Sequence, residues 1–354
     1  MYTQKYYDKI AKNESGSFLN RFDIAWNEFL DNMNLKYANS SQLHVGNRLR
    51  PIMTCWGYLH CHNIDSPIDF HYIADIAVSL EALHKASVII DDVIDGDTMR
   101  RGTDCLHVEY SENEAVFFSV CMISSAIDNL NQKLKMNNDK SLGTNTVSLL
   151  CNTIFLMCKG ALMEITSTEP DRLNKKRIKD IIDLETSTLL KNSLLIGYIA
   201  SDQNYNPAMR NVIEKIGDRC GFIFQVLNDL EPFCNPKYIK EHKGNLNSDY
   251  LKSRKNIVIP YMYEVLSAKE QKKFEKNLNN SGNFDVIQDI FEKKQLRNYI
   301  MNDIVDLHKL INKEIDTMAL WCNNTLWLTS FKDFVAFLID YCISVLDGNP
   351  IKWN

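Results

Sequence analysis

An apolar run with helical spacing, Ile76 through Ile90, leads without a break into three carboxylates, Asp91, Asp92 and Asp95. Asp91 and Asp95 stand four residues apart and so share a helix face about one turn apart, with Asp92 beside them. Like charges at that spacing repel. Gly96 reads as a helix stop, which puts the cluster at the negative end of the helix dipole. Two unfavourable terms coincide at the end of an apolar helix, and a cation would offset both. Hard oxygen ligands in this arrangement suit Mg²⁺, which commonly takes one or two carboxylates plus substrate phosphates. Arg100 and Arg101 follow one loop later, and guanidinium pairs suit phosphate oxygens. A solvated acidic helix end with a basic turn after it is the plainer reading; apolar flanks and the density of both charge signs count against it.

The surrounding chain predicts helices almost throughout. Phe18, Phe22, Trp26, Phe29, Leu30 and Met33 recur at three and four, an amphipathic helix. Further helices are expected through Asp95, over Glu114–Leu134, Val147–Thr166, Arg177–Ser201 and Met209–Leu230, with Asn137–Asn145 a loop by composition. Pro232 and Pro236 break the pattern and open a Lys- and Asn-rich loop up to Arg254. Beyond it come Ile257–Val265, Gln271–Leu278, Phe284–Asn324 with an interruption near Gln295, and Phe331–Leu346. Strand alternation is nearly absent and no internal repeat is evident, so residues 1–354 read as one all-α domain, 45% hydrophobic and able to bury a large core.

A net charge of −5 provides no basic field for nucleic acid. The first twenty residues carry Lys5, Lys9, Lys12 and Glu14 with no apolar block, so no secretory signal is expected, and apolar stretches such as Phe334–Ile339 are broken by charges, so no transmembrane segment is either. Ten cysteines lie scattered without a C-x-x-C pair, which fits reduced, buried thiols in a cytoplasmic protein rather than a zinc site. His60-Cys61-His62 looks like a metal tract, but neighbouring helical residues point apart, and chance explains it better.

A second acidic helix end lies at Phe224-Gln225-Val226-Leu227-Asn228-Asp229-Leu230-Glu231, where Gln225 and Asp229 share a face. Alone it is an ordinary polar end before a proline. Paired with the first cluster, it forms the other side of a site where metal ions and a diphosphate could be held. The Gly46–Pro51 turn offers Arg48 and Arg50 beside a glycine, and Lys240, His242, Lys243, Lys252, Arg254 and Lys255 form a cationic strip suited to a lid.

These motifs, in this order, resemble the trans-type isoprenyl (polyprenyl) diphosphate synthases: Gly46-Asn47-Arg48-Leu49-Arg50-Pro51; Asp91-Asp92-x-x-Asp95 with Arg100-Arg101-Gly102 and His107; then Phe224-Gln225-x-x-Asn228-Asp229. The resemblance spans about Leu43 to Pro260. It implies an isoprenoid-synthase-type helical bundle around a deep central cavity, usually a homodimer. It also implies Mg²⁺, about three ions bound with the diphosphate. The implied chemistry is ionisation of an allylic diphosphate followed by attack of the isopentenyl diphosphate double bond on the allylic cation. By resemblance, Asp91, Asp92, Asp95, Asn228, Asp229 and Glu231 would ligate metal and Arg100 would hold the allylic diphosphate. Arg50, Asn47, His84 and Arg101 match the positions that hold the acceptor, and Thr186, Gln225, Lys243, Arg254 and Lys255 the remaining substrate contacts.

Four departures stand beside the matches. Asn47 replaces the family's turn lysine, and Glu185-Thr186 aligns with its Lys-Thr pair, exchanging a cation for an anion. The second motif opens on Asn228 and ends at Glu231, and Lys243 with Ser253-Arg254-Lys255 only approximates the family's lysines. Each lost cationic hydrogen bond is worth about 1.5–3 kcal/mol, enough to shift substrate choice without abolishing ionisation. Ala86 and Ser87, small where short-chain members often carry an aromatic, predict room for a product longer than C15, such as C20 (geranylgeranyl); Phe117 and Phe118 are the alternative floor. Three readings follow: a polyprenyl diphosphate synthase; a synthase-like enzyme that cyclises the cation as a terpene synthase does, or prenylates an acceptor such as an indole; and a non-catalytic subunit, disfavoured by the intact acidic motif.

Overall fold

The computed structural model describes residues 17–61, 68–135, 140–201, 206–235, 255–278, 284–322 and 325–348. Lys243 and Arg254, with most of the cationic strip, lie outside them. The helices are α1 Phe18–Met33, α2 Ser41–His44, α3 Leu49–Cys61, α4 Phe70–Asp95, α5 Leu106–Glu109, α6 Glu112–Lys135, α7 Lys140–Ile165, α8 Glu169–Leu173, α9 Lys175–Ile182, α10 Thr188–Ala200, α11 Pro207–Cys234, α12 Val258–Val265, α13 Ala268–Leu278, α14 Phe284–Lys293, α15 Leu296–Met318 and α16 Thr325–Leu346. A short antiparallel ribbon, β1 Met99–Arg100 and β2 Thr103–Asp104, lies between α4 and α5.

Helix α4 is the axis. Its buried residues include Ile73, Ile76, Ala77, Leu80, Leu83 and Ile89 and cover most of its circumference, the pattern of a helix enclosed by others. Helices α1, α3, α6 and α10 pack on it. The Asp69 carboxylate caps its start by accepting from Tyr72 N, and Gly96, at φ 60°, ends it in the left-handed conformation that costs glycine little. Helices α3 and α10 cross at two glycines: a Cβ on Gly57 would strike the Leu194 carbonyl, and one on Gly197 the Thr54 carbonyl. That close crossing brings Arg50, near the start of α3, toward the polar end of α4.

Several boundaries differ from the sequence expectation. Helix α7 starts at Lys140, inside the expected loop, because a polar helix start carries no apolar period to read. Helix α11 runs through Pro232 to Cys234; so near a helix end, proline forfeits only the bond its missing N–H would give the Asn228 carbonyl. Between α9 and α10, Asp183–Ser187 form a π turn that no sequence pattern announced. The expected interruption near Gln295 is present, that residue standing at φ 51° between α14 and α15.

His60 belongs to the core, stacked on Trp56 and edge-on to Phe331, and burial pushes its pKa down to about 3. The thiols are not uniformly buried: Cys121, Cys151 and Cys158 are exposed on α6 and α7. Those helices also expose Val116, Phe117, Val120, Phe155, Leu162 and Ile165. One helix among the described residues, Thr146–Ile165, is long and apolar enough to cross a bilayer by length and composition alone, a length of apolar run that the sequence reading did not single out. Its Ser, Thr, Asn and Gly interrupt the apolar run while adding little charge. The same helix is tied into the bundle, Asn192 on α10 donating to Thr153.

Candidate active site

One cavity of 380 Å³ gathers nearly every residue the motifs singled out. Its walls include Asp91, Asp95, Arg100 and Arg101 on one side and Asn228, Asp229, Gln225, Thr186 and Lys255 on the other, with Asn47, Arg50 and His84 at the turn before α3. Leu83, Ser87, Val88, Ile123, Ile154 and Leu189 supply an apolar part. The geometry therefore joins two acidic helix ends, a cationic turn and a greasy recess.

On the first side, Asp91 is open to the cavity but ringed by protein, and this burial pushes its pKa up to about 6. Lys255 and Arg100 work against the shift, while Glu164 and Asp92 add to it. Asp92 departs from its expected role. It is only 1% exposed, accepts from Arg100 Nε at 2.7 Å and from Gln42 Nε2, and does not line the cavity. Helical geometry explains this: a residue adjacent to Asp91 points about 100° away from it. Burial opposes the charge on Arg100, but Asp92, by charge and hydrogen bond, outweighs it and holds the guanidinium protonated. The β1–β2 ribbon places that arginine, its chain folded back so that Asp92 and the cavity share it.

The opposite side is internally paired. Thr186 Oγ1 donates to Gln225 Oε1 at 2.9 Å, and Gln225 Nε2 donates to Asp229 Oδ1 at 2.7 Å. Asp229 Oδ2 accepts from Ile257 N at 2.8 Å. Lys255 is gripped by two carboxylates, Glu164 at 3.1 Å and Glu185, both of which line the cavity. The π turn presents Glu185 there, and Gly160 of α7 leaves it room, since a Cβ at 160 would meet Glu185 Cγ. Sequence reasoning missed Glu164; its position one face-turn from Gly160 on a cavity helix was the available signal.

At the turn, Arg50 sits against the Phe224 ring, with its Nε buried and making no hydrogen bond among the described residues. Burial lowers its pKa to about 10, so it remains a cation at neutral pH. Burial, reinforced by Arg50, Lys85, Arg101 and Arg100, keeps His84 neutral.

Besides Asp92, four expected residues among those described fall outside the cavity. Ala86 packs into the core at 0% exposure, Phe118 is buried against Tyr37, and Phe117 is 72% exposed on the outer side of α6. The inward position of that helix is Ile123, which with Ile154 takes the place proposed for the phenylalanines. Glu231, three residues beyond Asn228, is turned off the cavity wall, toward the Cys342 side of α11.

A metal is chemically suited to this donor set. Among the described residues no three His, Cys, Asp or Glu side chains lie close enough to hold an ion by themselves. Asp91 and Asp95 offer two carboxylates on one wall, and Mg²⁺ commonly completes such a pair with water and substrate phosphate oxygens.

The fold recurs among solved structures. A polyprenyl synthase from Caulobacter crescentus CB15, complexed with calcium and isoprenyl diphosphate, superposes with a TM-score of 0.76 at 13% identity, covering 96% of each chain. A geranylgeranyl pyrophosphate synthetase from Pyrococcus horikoshii Ot3 does so with a TM-score of 0.71 at 17% identity, covering 95% of this chain and 99% of the other. In sequence, a short chain isoprenyl diphosphate synthase of Methanocaldococcus jannaschii is 23% identical over 266 residues, 75% of this chain and 77% of its own. A geranylgeranyl diphosphate synthase of Saccharolobus solfataricus is 24% identical over 274 residues, 73% and 79% of the two chains. A sequence profile described as polyprenyl synthetase matches residues 33–294. With that much of its length matched, and with the all-α cavity its motifs predicted, this chain belongs to the polyprenyl synthetase family of prenyltransferases.

Proposed function

We propose that the chain ionises an allylic diphosphate and joins the resulting cation to isopentenyl diphosphate, giving a C20 or longer polyprenyl diphosphate. The observation that carries this reading is the cavity itself, with Asp91, Asp95 and Arg100 facing Asn228 and Asp229 across a space that continues into an apolar recess. Departure of the diphosphate leaves negative charge on the leaving oxygen and positive charge on carbon. Arg100 is positioned to accept the first, and the apolar wall keeps water from the second. Magnesium held by Asp91 and Asp95, with Asn228 and Asp229 opposite, would supply the further neutralisation that this bond cleavage needs. Arg50 and Arg101 would hold the acceptor diphosphate, with neutral His84 beside them as a hydrogen-bonding group.

A second reading is favoured by one contact. Lys255, a diphosphate contact in the expected scheme, is occupied by Glu185 and Glu164. A wall with less free positive charge suits cyclisation of the cation, or transfer to an uncharged acceptor such as an indole. Product analysis separates the two. Purified protein with Mg²⁺ and C10, C15 or C20 allylic diphosphate should form an elongated diphosphate only when isopentenyl diphosphate is present. Hydrocarbons or alcohols formed without it would support cyclisation, and consumption only with an added indole would support aromatic transfer.

We also propose a homodimer through the outer sides of α6 and α7, which pack together and expose Phe117, Val120, Phe155 and Leu162. Two copies meeting across a two-fold axis would cover both sets at once. Phe117→Glu should convert the dimer to monomer in sedimentation; an unchanged mass would place the interface elsewhere.

A further inference from the structure

Lys85 follows His84 on α4, and the opening motifs assign it no role. Its side chain is nearly enclosed, at 6% exposure, yet its ammonium reaches the cavity. Nζ donates to the carbonyls of Gln42, at 2.9 Å, and Val45. An ammonium has three N–H groups, so one is left over. Gly46, at φ 136°, comes next in the turn, and a Cβ there would stand 3.6 Å from Lys85 Nζ and 3.6 Å from Arg101 Nη1. Two cations therefore converge on one glycine.

The turn itself contributes no cation beside that glycine: position 47 is asparagine, whose Oδ1 accepts from Arg101 Nη1 at 3.4 Å. Of the buried carboxylates on α4, Glu81, whose charge acts on both Lys85 and Arg50, is engaged by Arg48 at 2.9 Å, and Asp92 by Arg100 at 2.7 Å. Among the described residues, none of Lys85, Arg50 and Arg101 has an ion-pair partner within 4.0 Å, and the buried Nε of Arg50 makes no hydrogen bond. Positive charge has been gathered against its own repulsion and against desolvation, the electrostatic preparation for an anion.

We propose that Lys85 is an anion-binding residue of the acceptor site, supplying from α4 the cation that the Gly46-Asn47 turn lacks and directing its third N–H to the acceptor's diphosphate. This rests on the reading that the acceptor carries a diphosphate. Its rival is a purely structural lysine that staples the end of α2 to α4 through the two carbonyls.

Lys85→Gln keeps an N–H donor for those carbonyls and removes the charge, and Asn47→Lys restores a charge beside Gly46 without restoring the staple. Metal-free calorimetry with inorganic pyrophosphate and with isopentenyl diphosphate should show Lys85→Gln weakening both by about ten-fold or more. The Lys85→Gln/Asn47→Lys double variant should recover most of that loss. Thermal unfolding of the same proteins reads the staple separately. Equal affinity in wild type and Lys85→Gln, a loss that Asn47→Lys does not repair, or no anion binding by the wild type would each overturn the proposal. Lys85-dependent pyrophosphate binding in a protein that makes no product from isopentenyl diphosphate would leave Lys85 an anion ligand and reject that acceptor.

Discussion

The two polar walls of the cavity have opposite characters. On the α4 side, Asp91 and Asp95 face the cavity; Arg100 is paired with Asp92, but Arg101, Arg50 and Lys85 stand close by with no ion-pair partner among the described residues. On the α11 side, the polar groups are spent on one another: Thr186, Gln225, Asp229 and the Ile257 amide form a hydrogen-bonded chain, and Lys255 is held between Glu164 and Glu185. An array that repels itself is poised for a counter-charged ligand, and one already satisfied must break contacts to bind anything. The first wall is the better candidate for the reaction's charge handling, and the second for tuning what is accepted.

The sharpest way to break this comparison is to truncate each wall in turn. Asp91→Ala should lower kcat by about 10³-fold, whereas Asn228→Ala should cost about ten-fold, measured by steady-state turnover at saturating Mg²⁺. Equal losses would erase the asymmetry. The apolar recess gives a qualitative test of similar weight. Ile123→Phe should shorten the product by one isoprene unit, while Phe118→Ala should leave product length unchanged and destabilise the fold by about 3–5 kcal/mol, since it empties a buried site. Chromatography of dephosphorylated products and chemical denaturation read the two effects.

Glu185→Gln should release Lys255 in part and lower KM for the allylic diphosphate by about ten-fold at little change in kcat. A raised KM would mean that Glu185 positions Lys255 rather than competing for it. The smallest effect concerns pH. Asp91 has its folded pKa raised from 3.8 to about 6, so the folded metal-free protein holds a proton that the unfolded chain has lost between those values. The ionised carboxylate is therefore a net cost to folding above about pH 6, and that cost disappears below about pH 4. Asp91→Asn should raise the melting temperature of the metal-free protein slightly at pH 8 and leave it unchanged near pH 4.

The sequence made the α4 wall legible because its information is local. Four-residue spacing puts Asp91 and Asp95 on one face whatever packs around them, and Gly96 announces where the helix stops. It misplaced what depends on tertiary rotation. Phe117 and Phe118 sit on a helix of known type, but which side of α6 meets α4 is set by the neighbours, and Ile123 was the residue that turned inward. Asp92 and Glu231 were grouped with metal ligands by motif, whereas their helical angles direct them elsewhere. The π turn that delivers Glu185, and the partner carboxylate Glu164, join segments about twenty residues apart through a geometry with no sequence period. Replacement of a cation by Glu185 was visible from the start; its capture of Lys255 was not.

Release of pyrophosphate from an allylic diphosphate, followed by the purified full chain across a Mg²⁺ titration, tests most directly whether the facing walls work as a metal-assisted ionisation site. The account predicts no release in chelator, a saturable rise as Mg²⁺ is returned, and loss of that rise when Asp91 and Asp95 are both replaced by alanine. Release that continues in chelator, or a titration that the double replacement leaves untouched, would contradict it.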